Sequence, residues 1–390
     1  MKSEFMYTPL DEIYNKELLR QASTVELIAS ENFISPRVLK YLGSEFTNKY
    51  TEGYPGKRYY GGCEFYDELE TYCQDLWKDV FSTTYHVNVQ PHSGTSANLA
   101  AISAVVNPGE TILSMTLDAG GHLSHGARVS QVGKLYNIVN YGVDDDGWID
   151  YDEITKLANQ CQPKLIICGA SAYSRKINYI RFAEIARSVN AYLLADIAHV
   201  AGLIAANKLP SPFGYADIIT STTQKTLRGP RGGLIFCIPE LAKKIDSAVF
   251  PGTQGGSLMN VIAAKAACAE EVLEPEFVDY IDMVMYNAKT MAERFMSHGY
   301  NVITGGTNNH MFLVDLRGTG LTGIDVQNEL ERNGITLNKN AIPNDPLPPS
   351  KTSGIRIGTP AMTTRGWEAY DFCECADNIC KILDEMRAAL

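Results

Sequence analysis

The sequence predicts an α/β protein with a mostly parallel sheet in a large domain and a small α+β domain at the C-terminus. Apolar β-type runs alternate with helical runs between residues 86 and 238, which is typical of βαβ units. The chain has 390 residues, 45% of them hydrophobic, which is enough for one large core and a smaller one. Ligands of such sheets bind beyond the carboxyl ends of the strands, so functional residues are expected there.

Each element has a local signal. Thr8 followed by Pro9 predicts a helix N-terminus, with apolar residues at helical spacing after it. A stretch rich in Gly, Tyr, Pro and Lys at 30–63 predicts a long irregular segment, which is usually functional or interfacial. Strands are predicted at 86–90, 111–115, 136–141, 165–169, 192–197, 218–222 and 234–238, with helices at 96–106, 151–158 and 181–189. The C-terminal part is predicted to contain helices at 275–298, 324–333 and 367–390 and a strand at 312–316.

Composition excludes several classes of function. The net charge of −11 argues against nucleic acid as the main partner, because such binding requires clustered positive charge. No apolar window reaches membrane-spanning length and the first ten residues lack a leader-like core, so we expect a cytoplasmic protein without a membrane partner. The nine cysteines are scattered without metal-ligand spacing; we expect free thiols and no metal site.

Lys225 is the strongest candidate for chemistry. It follows an apolar run at 216–220 and three hydroxyl residues at 221–223, and a Gly-Pro-Arg-Gly-Gly turn at 229–233 comes soon after it. A lysine at the mouth of a buried strand loses solvent, which lowers its pKa and makes the amine a nucleophile. An aldehyde cofactor such as pyridoxal phosphate needs such an amine for its Schiff base. The alternative is a solvated lysine beside a turn.

Two further segments suit the same cofactor. Ser93, Gly94 and Thr95 lie between a strand and a helix, where free N–H groups and hydroxyls bind phosphate; an ordinary N-cap is the alternative. Asp196 ends a predicted strand about one βαβ unit before Lys225 and could keep a pyridine nitrogen protonated. The alternative for this residue is a solvated loop aspartate.

Histidine and arginine complete the set. His122 and His125 lie in a glycine-bounded loop and could stack on a flat ring or move protons, whereas a metal site would need a glutamate and a third ligand. Arg356, in a Gly-Ile-Arg-Ile-Gly run, could bind a carboxylate with its guanidinium fork, although single arginines are more often on the surface.

Together these motifs resemble the serine hydroxymethyltransferase family over almost the whole chain. The resemblance also includes residues 26–32, 48–62, 120–126, 196–202 and 354–360. It implies a fold-type-I pyridoxal phosphate transferase, similar to aspartate aminotransferase, that forms homodimers or tetramers with active sites shared between subunits. The implied domains are an N-terminal helix and interface arm at 1–60, a large cofactor-binding domain at 61–270 and a small domain at 271–390.

The resemblance implies a role for each matching residue. The residues implied to bind the cofactor are Ser93, Gly94, Thr95, His122, Ser171, Asp196, His199, Gln224, Lys225 and Arg231, with Tyr50 and Gly256 from the neighbouring subunit. Substrate would be held by Ser30 and Arg356, and by Glu52 and Tyr60 of the neighbouring subunit. Lys225, Glu52, Asp196, His122 and Tyr60 would be catalytic. Folate would contact Leu117, Gly121, Leu123 and Asn340.

The implied activity is interconversion of serine and glycine with tetrahydrofolate as the one-carbon acceptor. The chain departs from the usual family pattern at Gln224, Asp118-Ala119, Ser257 and Asn260. These departures leave open a folate-independent aldolase, transaldolase or hydroxymethyltransferase for another β-hydroxy or α-methyl amino acid. A non-catalytic protein that binds the cofactor or an amino acid is a third alternative.

Overall fold

The N-terminal helix begins as predicted. The computed structural model describes residues 8–390. Thr8 accepts a hydrogen bond from Asp11 N, Asp11 in turn accepts from Thr8 N, and Pro9 occupies the first helical turn. Residues 1–7 of the expected N-terminal arm lie outside the described residues.

The elements alternate along the chain. The α-helices are α1 Pro9–Ser23, α2 Pro36–Leu42, α3 Glu64–Val80, α4 Gly94–Ser103, α5 Gln131–Leu135, α6 Tyr151–Cys161, α7 Tyr179–Ser188, α8 Ala201–Ala205, α9 Ala242–Ser247, α10 Met259–Leu273, α11 Pro275–Ser297, α12 Gly323–Arg332, α13 Pro360–Thr364 and α14 Ala369–Ala388. The strands are β1 Val25–Glu26, β2 Gly53–Tyr54, β3 Lys57–Arg58, β4 His86–Asn88, β5 Thr111–Met115, β6 Asn137–Tyr141, β7 Leu165–Cys168, β8 Tyr192–Asp196, β9 Ile218–Thr222, β10 Gly233–Cys237, β11 Asn301–Val302, β12 Met311–Asp315, β13 Ile335–Thr336, β14 Asn338–Asn340 and β15 Gly354–Gly358.

The large sheet has seven strands in the order β4-β10-β9-β8-β7-β5-β6. The strands from β9 to β6 pair in parallel, and β10 pairs antiparallel with β9 and β4. Strands β7, β9 and β10 are buried along their whole length, as expected when helices cover both faces of a sheet. The mostly parallel sheet is confirmed, and all seven predicted strands are present within two residues of their expected ends.

The C-terminal part has its own sheet and core. Strands β11, β12, β15 and β14 pair antiparallel in that order, and α11 and α14 pack against them through apolar side chains such as Phe295, Phe312 and Phe372. This agrees with the predicted α+β arrangement. Strand β1 pairs in parallel with β13, so the N-terminal segment joins this part. The expected boundary between residues 270 and 271 falls inside α10 and stays a prediction, as does the one after residue 60.

The expectation of an irregular stretch at 30–63 is wrong in part. The segment contains α2 and the hairpin of β2 and β3. Ser35 caps α2 by accepting from Val38 N, and Pro36 occupies its first turn, a start signal that the surrounding Gly and Tyr residues obscure. Within residues 8–390, no helix is both long and apolar enough to cross a membrane.

Candidate active site

A cavity of about 370 Å³ opens at the carboxyl ends of β7, β8 and β9. This volume lies within the range of roughly 300–1,000 Å³ that is typical of small-molecule sites. It is lined by Ser30, Glu31, Ser93, Gly94, Thr95, Asn98, His122, His125, Ala170, Ser171, Asp196, Ala198, His199, Thr222, Gln224, Lys225 and Arg231. Eleven of the predicted site residues therefore meet in one place, which is the edge where the topology predicts a ligand.

Lys225 lies in this cavity just after β9 and is only 9% exposed. Burial lowers the pKa of its amine to about 8; the carboxylate of Asp196 opposes this shift, whereas the charges of Arg356 and Arg231 add to it. Roughly a tenth of the amine is consequently unprotonated at pH 7, far more than for a lysine in water, and this is the nucleophilic form.

The N-terminus of α4 faces the same cavity. Ser93 caps the helix by accepting from Ser96 N at 3.2 Å, and Ser96 Oγ accepts from Ser93 N at 2.9 Å. Gly94 is needed because a Cβ there would lie 2.5 Å from Cγ2 of Thr222. The glycine lets the helix start lie against β9, so that its N–H groups and the Ser93 and Thr95 hydroxyls form a cradle for an anion.

Asp196 lies at the end of β8 with both carboxylate oxygens occupied. Oδ2 accepts from Asn98 Nδ2 at 2.8 Å and lies 2.8 Å from His125 Nε2, and Oδ1 accepts from Ala198 N. Burial alone would raise the pKa of this carboxyl, but the His125 hydrogen bond and the nearby ammonium of Lys225 hold it below the ordinary value. The carboxylate is therefore ionised at neutral pH and can stabilise a proton on a ligand.

His122 has the properties of a neutral ring that stacks on a ligand. Its Nδ1 lies 2.7 Å from Ser124 Oγ, and burial lowers the pKa of the ring to about 4 despite the attraction of Asp196. At neutral pH the imidazole is uncharged, so a flat ligand ring could pack on it without displacing a cation.

His199 and Gln224 lie on neighbouring loops. The His199 ring stacks on His310 with centroids 5.5 Å apart, and burial lowers its pKa. Gln224 Oε1 accepts from Gly232 N at 3.4 Å, a weak contact that links the segment beside Lys225 to the glycine turn. Arg231 belongs to that turn and lines the cavity.

Arg356 reaches this site from the other sheet. From β15, its Nη1 donates to the backbone oxygen of Ser171 at 2.7 Å, and its Nε donates to Asn338 Oδ1 at 3.1 Å. Burial lowers its pKa to about 10, so the guanidinium stays charged at neutral pH. Ser30 lies on the cavity wall, so both predicted carboxylate ligands belong to this region.

The remaining predicted residues do not line the Lys225 cavity. Glu52 lines a second cavity, next to the loop that contains Gly256. The rings of Tyr50 and Tyr60 lie 5.7 Å apart, and a Cβ on Gly256 would lie 3.2 Å from the Tyr50 ring. The chain thus holds Tyr50, Glu52, Tyr60 and Gly256 as a second cluster, apart from Lys225.

The four predicted folate residues occupy two places. Leu117 and Leu123 are exposed on one loop, and Gly121 between them is buried, since a Cβ there would lie 2.3 Å from Met115 O. Asn340 ends β14 in the C-terminal sheet and donates to Ala341 O. Gly121 could contact a ligand only through its backbone.

Comparison with known proteins identifies the family. A serine hydroxymethyltransferase family model matches residues 6–379. The chain belongs to this family. It is 56% identical to the serine hydroxymethyltransferase of Halorhodospira halophila over 372 residues, which cover 95% of this chain and 89% of that protein. It is 55% identical to serine hydroxymethyltransferase 1 of Pseudomonas aeruginosa over 394 residues, covering 98% and 94%. Membership confirms the predicted fold-type-I class.

The serine hydroxymethyltransferase cofactor, pyridoxal phosphate, suits the donors that this chain presents. The cavity combines a buried amine, a helix N-terminus with hydroxyls, an ionised carboxylate and a neutral imidazole. These groups match an aldehyde, a phosphate, a protonated pyridine nitrogen and a flat ring, respectively.

The residues that differ from the usual pattern of serine hydroxymethyltransferases form hydrogen bonds within this chain. Asn260 donates to Leu42 O at 2.8 Å, and Ser257 Oγ lies 2.8 Å from Thr51 Oγ1. Asp118 accepts from Ala119 N at 3.1 Å. Of the departing residues only Gln224 lines the Lys225 cavity.

Two residues hold Asp196: sequence reasoning missed Asn98, and it gave His125 a different role. Asn98 and His125 both contact its carboxylate, and Asn98 also accepts from Thr220 Oγ1 at 2.6 Å. Asn98 lies four residues after Gly94 in α4, a spacing that places both on one face of the helix. That spacing could have identified it, and His125 was already a candidate for stacking or proton transfer.

Proposed function

We propose that this protein interconverts serine and glycine, with pyridoxal phosphate as cofactor and tetrahydrofolate as the one-carbon acceptor. The observation that carries the proposal is a buried, pKa-lowered Lys225 in one cavity with an ionised Asp196 and a helix N-terminus. When bound, the cofactor supplies an electron sink for the negative charge left on Cα as its bond to Cβ breaks.

The residues of the Lys225 cavity would bind and orient the cofactor. The Lys225 amine would bond to the aldehyde, and the start of α4 with Ser93, Gly94 and Thr95 would hold the phosphate. Asp196 would keep the proton on the pyridine nitrogen, because its low pKa leaves it ionised. The neutral His122 ring would pack on the cofactor, with Ser171, His199, Gln224 and Arg231 around it.

Arg356 and Ser30 would hold the carboxylate of the amino acid. The guanidinium donates to Ser171 O and Asn338 Oδ1 in this structure, and it is a charged planar group that suits bidentate binding of a carboxylate. A carboxylate fixed there would orient the scissile bond relative to the cofactor ring. Tetrahydrofolate would lie at the entrance, near Leu117, Leu123, the backbone of Gly121 and Asn340.

Glu52 and Tyr60 would move protons at the substrate hydroxyl from the neighbouring subunit of a homodimer, with Tyr50 and Gly256 supporting the phosphate. The position of Glu52 supports this proposal, because the cavity that it lines shares no lining residue with the Lys225 cavity. A general acid or base of this kind contributes roughly 10²–10⁴-fold to the rate. A homodimer, alone or paired into a tetramer, and a cytoplasmic location complete the proposal.

A substrate screen of the purified, pyridoxal phosphate-loaded protein tests the function. We expect glycine to form from serine, and the turnover to rise sharply when tetrahydrofolate is added. The screen should include threonine and α-methylserine without folate. Serine turnover that is equal with and without tetrahydrofolate, or preference for one of the other substrates, would favour the folate-independent alternative.

A further inference from the structure

Lys265 is a completely buried lysine outside the cavity described above. It lies in α10 and is 1% exposed. Its ammonium donates to three backbone oxygens, those of Val89 at 2.7 Å, Pro91 at 3.0 Å and Gly233 at 2.8 Å. Within residues 8–390, none of the ion pairs includes Lys265. A buried charge that is satisfied only by carbonyl oxygens is costly, so its presence here requires an explanation.

The three carbonyls belong to the two loops that frame the anion cradle. Val89 and Pro91 lie four and two residues before Ser93, and Gly233 ends the turn that contains Arg231. The loops also touch each other, since Gly233 N donates to Pro91 O at 3.0 Å. The ammonium therefore joins the start of α4 to the segment that follows Lys225.

This contact also accounts for the paired glycines at the end of the turn. A Cβ on Gly232 would lie 2.4 Å from Cε of Lys265, and one on Gly233 would lie 2.3 Å from Ser93 O. The first glycine leaves room for the lysine side chain, and the second lets the turn approach the cradle. The Gly-Gly pair thus follows from the packing of Lys265 and Ser93.

We infer that Lys265 is a positioning residue for the phosphate of the cofactor, acting through the two loops that it joins. This inference rests on the proposed function, since it assumes that the cradle takes pyridoxal phosphate. The ammonium acts in two ways: it fixes the spacing of the loops, and it places a buried positive charge behind the anion site.

The protonation state of Lys265 agrees with this role. Burial lowers the pKa of its amine to about 8, while Cys73 and Glu70 oppose the shift. Most of the amine is therefore charged at pH 7 and can donate to all three oxygens. The charge also acts on a residue beside the cradle. Burial is the larger cause of the lowered pKa of His92, and the charge of Lys265 lowers it further.

The test compares pyridoxal phosphate with pyridoxal, which lacks the phosphate. In Lys265→Met, a neutral side chain of similar length, we expect the Kd of pyridoxal phosphate to rise about 10- to 100-fold and that of pyridoxal to change less than about threefold. Phe372→Leu in the C-terminal core is the control, because it lowers stability away from the cradle. It should keep the wild-type ratio of the pyridoxal Kd to the pyridoxal phosphate Kd.

A second variant tests the contact without removing the charge. Gly232→Ala forces the Lys265 side chain to move, and we expect it to lower the ratio of the pyridoxal Kd to the pyridoxal phosphate Kd, as Lys265→Met does. Gly142→Ala, where a Cβ meets no atom within 4 Å, should leave this ratio unchanged. If pyridoxal and its phosphate weaken equally in Lys265→Met, or if Gly232→Ala keeps the wild-type ratio, the inference is wrong. Failure of the wild-type protein to bind pyridoxal phosphate would instead contradict the proposed function.

Discussion

Arg356 donates to the backbone oxygen of Ser171 at 2.7 Å, and this hydrogen bond joins the C-terminal sheet to the carboxyl edge of the large sheet. Ser171 follows β7 and lines the Lys225 cavity, whereas Arg356 belongs to β15. The position of the guanidinium thus depends on how the two sheets pack together. Substrate binding and the contact between the two sheets are linked through one side chain.

Replacing this arginine should impair substrate binding more than cofactor binding. In Arg356→Lys we expect the KM for serine to rise about 100-fold, because an ammonium cannot bind Ser171 O, Asn338 Oδ1 and a carboxylate with one planar fork. The Kd of pyridoxal phosphate should stay within about threefold of wild type. Steady-state kinetics and a cofactor titration measure the two effects.

Arg317→Lys is the matched control, because Arg317 is half exposed and pairs with Asp315 away from the cavity. It should leave the KM for serine unchanged, since neither residue of this pair lines the Lys225 cavity. A KM for serine in Arg356→Lys that equals the control would refute the role of Arg356.

His125 controls the charge of Asp196, and its removal should change the pH dependence of the reaction. In His125→Phe, burial would raise the pKa of Asp196 without the opposing hydrogen bond. Since the carboxylate must be ionised to act, the acid limb of the kcat profile should move to higher pH, and the rate at pH 5 should fall relative to the rate at pH 8. A pH–rate profile from pH 5 to 9 measures both.

The control for this experiment is His298→Phe, which removes an exposed imidazole that contacts Asp377. Its acid limb should overlay that of the wild type. The same overlay in His125→Phe would show that Asn98 and Ala198 alone hold the Asp196 carboxylate in its ionised form.

Strand positions could be predicted from the sequence because a buried strand has a short apolar sequence. The strand at 218–222 is found with its expected bounds, and Lys225 and Asp196 follow from their places at strand ends. Helix α2 was missed, since its seven residues carry little periodicity and its Ser35-Pro36 start lies among turn-forming residues.

The parts that could not be predicted depend on contacts between distant segments. Lys265 lies in a helix where its residue type suggests a solvated face, yet it is buried against loops far away in the chain. Likewise, nothing in the sequence around Arg356 indicates that Ser171 accepts its hydrogen bond. Such tertiary contacts have no local signature.

The lowered pKa of Lys225 predicts how cofactor capture depends on pH. Only the unprotonated amine attacks the aldehyde, so the capture rate of the apo protein should rise about tenfold per pH unit and level off near pH 8. An amine in water would level off near its ordinary value of 10.5 instead. Stopped-flow absorbance of apo protein mixed with pyridoxal phosphate measures the rate, with Lys225→Ala as the blank. A rate that still rises between pH 9 and 10 would contradict the burial of this amine.

Mixing two inactive variants should restore activity if Glu52 serves the neighbouring subunit. Glu52→Gln and Lys225→Ala should each lose serine turnover, while Glu52→Gln keeps its affinity for pyridoxal phosphate. After dissociation and random reassembly in equal amounts, half of the dimers are mixed, and each mixed dimer has one site with an intact Glu52 and an intact Lys225. About a quarter of the wild-type activity should therefore return, as two-fold symmetry requires.

The double variant Glu52→Gln/Lys225→Ala, reassembled with wild-type protein, is the control for this mixing. In those mixed dimers every site contains one altered residue, so the activity should come only from the wild-type dimers that remain, again about a quarter. If Glu52 acted within its own chain, the first mixture would stay inactive, and the second would keep about half of the activity because each wild-type chain would retain its own site. The two mixtures therefore distinguish a site built from two chains from a site within one.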